Sequence, residues 1–187
     1  MNKLFRPYLT LALAGALLVF SSCDDHGDEP HDHEEELITT VTLTMTPQGG
    51  GTPITATYRD LDGDGGNAPV LTPGTVVLKA GTTYNTTITL LDEANNENLT
   101  AEIKEEGAEH ELFFVPSPAN LMTVTKTDRD SNNRPIGLES TIQTASSAQT
   151  GALRIVLKHQ PGGLKSNNST ISTGETDVDV SFSIRLE

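Results

Sequence analysis

Residues 37–46, Leu37-Ile38-Thr39-Thr40-Val41-Thr42-Leu43-Thr44-Met45-Thr46, alternate with a period of two: Leu37, Thr39, Val41, Leu43 and Met45 against Ile38, Thr40, Thr42, Thr44 and Thr46. A period of two places apolar side chains on one face of a strand and hydroxyls on the other. Further runs follow at residues 54–58, 76–78, 84–90, 110–115, 121–127, 138–144, 153–159 and 178–186. Turn-forming clusters separate them, among them PQGGGTP, DGDGGNAP, SPAN, SNNRP and QPGGLKSNN, in which Gly, Pro, Asn and Asp supply the backbone angles of tight turns. The 25 threonines after residue 22 suit pleated, half-buried surfaces. This pattern predicts an all-β fold, an antiparallel, immunoglobulin-like β-sandwich of about 8–9 strands over residues 37–187. One short helix is expected between two strands, because Leu99 and Ile103 stand four apart, Glu102, Lys104, Glu105 and Glu106 face outward, and Gly107 suits a C-terminal cap.

Two segments precede the sandwich. Residues 1–22 carry Lys3 and Arg6, then an apolar run from Leu9 to Phe20, then Ser21-Ser22 before Cys23, the single cysteine. This is the pattern of a cleaved signal segment, with Cys23 as the residue lipidated, by palmitate or a similar acyl chain, to anchor the protein in a membrane. Residues 23–36 continue as CDDHGDEPHDHEEE. The stretch has no apolar side chain beyond Pro30 after the cysteine and is expected to be a disordered, acidic tether.

Charge narrows the function. The chain holds 12 Lys and Arg against 26 Asp and Glu, a net charge of −14. Nucleic-acid binding is excluded as an expectation, because phosphates call for basic neutralisation. No GxSxG context occurs, and a lipidated Cys23 leaves no thiol nucleophile, so no enzymatic activity is expected.

Three constellations can hold a cation. In the tail, His26, His31 and His33 with Asp32 interleave imidazoles and carboxylates, a borderline ligand set suited to zinc or copper. In the sandwich, Glu109, His110 and His159 would meet at one end if their strands are neighbours, an alternative transition-metal site. Two loops have the alternate-acid spacing of calcium sites: Asp60, Asp62 and Asp64 in DLDGDG, and Asp128, Asp130 and Asn132 with Glu139 at the twelfth position. The first lacks a closing acid and the second has Asn133 where glycine is usual, and the same residues equally make hairpin turns.

The stretches ELITTVTLTMTP, RDLDGDGGNAP, EEGAEHELFF, TDRDSNNRPIGL, LRIVLKHQP and GETDVDVSF resemble those of a family of small Bacteroidota surface lipoproteins, from Glu36 to the C-terminus. The run of acids after Cys23 is similar to the export signal of such proteins. The resemblance implies an outer-membrane lipoprotein exposed at the cell surface, associated with TonB-dependent receptors in nutrient or metal uptake. The sequence thus supports two functions: a zinc- or copper-binding accessory lipoprotein acting through its tail, or a non-catalytic sandwich that binds a receptor, glycan or peptide, with calcium at most structural.

Overall fold

The computed structural model describes residues 37–63 and 65–187; the signal segment 1–22, the tether 23–36 with Cys23, His26, His31, Asp32 and His33, and Asp64 lie outside the described residues. The described chain forms β1 (Thr40–Pro47), β2 (Ile54–Arg59), β3 (Val70–Thr72), β4 (Val76–Leu78), β5 (Thr83–Asp92), β6 (Glu97–Asn98), α1 (Thr100–Glu105), β7 (His110–Ser117), β8 (Met122–Lys126), β9 (Glu139–Thr144), β10 (Gln149–His159) and β11 (Glu175–Leu186). Sheet A has the order β3-β2-β1-β5-β9-β8, with β6 beside the far end of β5; sheet B has the order β4-β11-β10-β7. All nine expected runs are strands.

The structure refines the expectation at three points. β3 and β6 are additional, only three and two residues long. The sandwich is not wholly antiparallel, since β4 runs parallel to β11, with Val76 opposite Ile184 and Leu78 opposite Leu186. And Gly107, directly after the cap residue Glu106, donates its N–H to the Lys104 carbonyl at 3.3 Å but without the positive φ of a glycine cap. What Gly107 provides is close approach, because a Cβ there would stand 2.5 Å from Ile136 Cδ1.

Alternation builds the core. Val41, Leu43 and Met45 of β1 are fully buried while Thr42, Thr44 and Thr46 are partly exposed. Facing them from sheet B are Leu153, Ile155 and Leu157 of β10 and Val178, Val180, Phe182 and Ile184 of β11. The core is aliphatic apart from Phe182 and Tyr84, whose hydroxyl accepts the Lys79 backbone N–H at 2.8 Å. Phe114 shares the inward side of β7 with Leu112 but is only partly buried, packed against the core from its margin. α1 closes one end, with Ile103 fully buried and Leu99 nearly so.

Candidate functional site

The two aspartate loops are held by their own turns. The Gly63 N–H donates to Asp60 Oδ1 at 3.0 Å, and the Tyr58 hydroxyl to Asp60 Oδ2 at 3.3 Å. Asn67 donates its backbone N–H (2.9 Å) and its side-chain amide (2.6 Å) to Asp62 Oδ2, which holds that carboxyl below its ordinary range. In the second loop Gly137 N–H donates to Asp128 Oδ1 at 2.7 Å. Asp130 Oδ1 accepts the N–H groups of Asn132 and Arg134, both at 2.8 Å, while Asn133 takes a positive φ of 60°. Glu139 turns to Lys104, 3.4 Å away. A cation is already present beside Asp130: Lys165 Nζ stands 3.3 Å from Asp130 Oδ2, both side chains fully buried.

Lys165 belongs to a polar cluster at one end of sheet B. Its ammonium donates to the carbonyl oxygens of Gly107 (2.6 Å) and His110 (2.9 Å) as well as facing Asp130. Two accepting carbonyl oxygens and a carboxylate oxygen facing the ammonium at 3.3 Å suit the charged form. Burial draws the Lys165 ammonium down from its usual value, with Asp130 opposing. Burial pushes the Asp130 carboxyl up, but the Arg134 N–H and Lys165 outweigh it and hold it below the usual range. The geometry and the lowered Asp130 carboxyl both favour the ionised pair. Nearby, Lys126 reaches Glu111 at 2.5 Å and lies over the Phe113 ring, 4.4 Å from its centroid.

The two sandwich histidines meet, as their strands are neighbours. His110 pairs directly with His159 in the β7–β10 register, and their rings stack at 4.6 Å with 10° between planes. His110 is buried, its Nδ1 3.3 Å from the Glu106 carbonyl oxygen and its Nε2 3.9 Å from Asp177. His159 Nε2 lies 3.9 Å from Glu109. Asp177 arrives there through a β-bulge: Leu157 pairs with Val178 but Lys158 with Thr176, leaving Asp177 as the extra residue. Without the bulge its place in the alternation of β11 would turn it to solvent; the bulge re-aims it. Among the described residues, no group of three His, Cys, Asp or Glu side chains converges to hold a metal ion.

The chain matches no protein family, no curated protein and no solved structure. The site is therefore read from its own residues. The histidine pair is an interior device rather than an open one, and burial, reinforced by His159, pushes His110 down to about 4. The folded chain thus declines a proton that the unfolded chain accepts near 6.5. The stabilisation is complete above pH 6.5 and is lost as pH falls towards 4, about 3 kcal/mol in all. Urea unfolding should show stability falling between pH 6.5 and 5, and His110→Gln should flatten that dependence. An unchanged slope in the variant would mean that His110 titrates normally.

Sequence reading did not single out Lys165, Asp177 or Gln160. Gln160 is fully buried, its backbone N–H donating to Glu109 O at 2.6 Å and its side-chain amide making no hydrogen bond among the described residues. A signal for Lys165 existed: it is the only charged residue in the loop 160–174, and a lone charge in a neutral loop often has a specific partner.

Proposed function

We propose that the protein is a non-catalytic outer-membrane lipoprotein, anchored through Cys23 at the cell surface, that captures zinc or copper with its tail as an accessory to a TonB-dependent receptor. The observation that carries this is ligand density: His26, His31 and His33 share residues 24–36 with eight acids, Asp32 between two of the imidazoles. Beyond Pro30 the segment has no apolar side chain with which to build competing structure. Copper(II) should bind more tightly than zinc(II), following the usual order for nitrogen and oxygen ligands, and binding should fade below pH about 6.5 as imidazole protonates.

Isothermal titration of residues 24–187 with zinc and copper tests this. Replacing His26, His31 and His33 with alanine should abolish the site and leave the melting temperature of the sandwich unchanged. A triple variant that binds both metals like the parent would sink the tail reading. The second reading, a sandwich that acts as a binding module, is favoured by the outer face of sheet A.

A further inference from the structure

Strands β1, β2, β5, β8 and β9 turn seventeen side chains to the outside of sheet A, and twelve of them are threonine. The registers align them across strands. Thr57, Thr42 and Thr89 form one row, and Thr55, Thr44 and Thr87 the next. Strand propensity alone does not account for this array. The outer face of sheet B meets the same demand for strand formers, yet β10 and β11 place only two threonines there, Thr150 and Thr176, among Arg154, Lys158, Asp179, Arg185 and serines.

We propose that the threonine face binds an uncharged polysaccharide chain. This rests on the binding-module reading and is independent of the metal-binding tail. Charge is the first argument. The chain carries −14 overall, but the face has only two charged groups, both at its margin and both neutralised: Arg59 by Glu93 and Glu139 by Lys104. An anionic ligand finds no cation cluster, and a cationic one finds far denser acid elsewhere on the chain. Anchoring is the second. The face has no aromatic side chain, and protein interfaces take most of their binding energy from buried aromatic and arginine anchors.

The third argument is hydrogen-bonding capacity. The hydroxyls of Thr44, Thr55, Thr87 and Thr141 make no hydrogen bond among the described residues, and the Thr42–Thr57 hydroxyl pair is a marginal 3.5 Å. Each free hydroxyl offers a donor and an acceptor to a sugar hydroxyl, and each threonine methyl offers apolar contact to the C–H face of a sugar ring. The strands that carry successive threonines of a row lie about 4.8 Å apart, close to the length of one hexose residue in an extended chain. Sheets twist by about 20–25° per strand, which prevents a planar match to a crystal surface but suits a flexible chain lying across the strands.

Native affinity electrophoresis of residues 24–187 in EDTA, through gels containing mannan, mixed-linkage β-glucan or dextran, tests the proposal; EDTA removes any contribution from tail-bound metal. At least one neutral polymer should retard the protein, and anionic polygalacturonate should not. Thr44→Val with Thr87→Val keeps shape and strand propensity while deleting two hydroxyls, and should weaken binding about tenfold. Thr150→Val on sheet B should change nothing, and the tail triple-alanine variant should bind like the parent. The proposal is overturned if none of the three neutral polymers retards the protein, if polygalacturonate does so equally, or if the Thr44/Thr87 variant binds undiminished.

Discussion

Lys165→Met is expected to destabilise the fold by about 3–5 kcal/mol, the cost of removing one partner from a buried ion pair. Methionine keeps most of the stem but supplies no donor. Asp130 would stay fully buried with its countercharge gone, its charge either stranded or neutralised by proton uptake, and the carbonyl groups of Gly107 and His110 would each lose a donor. The effect spreads because these groups belong to separate elements: the end of α1, the start of β7 and the loop before β9. Since a domain has roughly 5–15 kcal/mol in total, the variant should unfold at markedly lower urea concentration. Adding Asp130→Asn should recover part of the loss by removing the stranded charge. A single-variant loss below about 1 kcal/mol, the range of exposed pairs, would show that water reaches the pair.

Phe182→Ala should cost a comparable 3–5 kcal/mol, combining lost burial with the cavity left at the centre of sheet B. Phe182 is 1% exposed and pairs with Leu153, itself fully buried. Phe114→Ala should cost clearly less, because that ring sits at the margin of the core where neighbours and water can fill the space. Equilibrium unfolding of the two variants side by side checks the ranking; equal losses would place Phe114 in the centre of the core.

The long strands were legible because period-two alternation survives over eight or more residues, as in β1 and in β11 from Val178 onward. β3 was not, since Val70-Leu71-Thr72 is too short to establish a period and ends at Pro73. The parallel β4–β11 pairing was not legible either: alternation orients side chains but does not choose neighbours. At the polar end, the meeting of His110, His159 and Glu109 followed from strand adjacency, which the sequence permits without requiring. Asp177 was hidden because a bulge overrides the very alternation used to read β11. The threonines were visible as a count, but their concentration on one sheet depends on which strands become neighbours.

β11 lies inside sheet B, between β4 and β10, and it pairs with β4 across more than a hundred residues of chain. Backbone bonds seal the junction: Glu187 N–H donates to Leu78 O at 3.0 Å, and Ala80 N–H to Glu187 O at 2.8 Å. Closing so long a loop costs entropy before any contact rewards it, which places assembly in the slow, milliseconds-to-seconds class of β-proteins. Until residues 175–187 dock, β4 and β10 each expose an open edge able to recruit strands from other molecules. Mutual repulsion from the chain's net charge of −14 opposes such encounters. Docking of β11 therefore covers the edge of β10 and one edge of β4, leaving β4 and β7 as the edges of the folded sheet B.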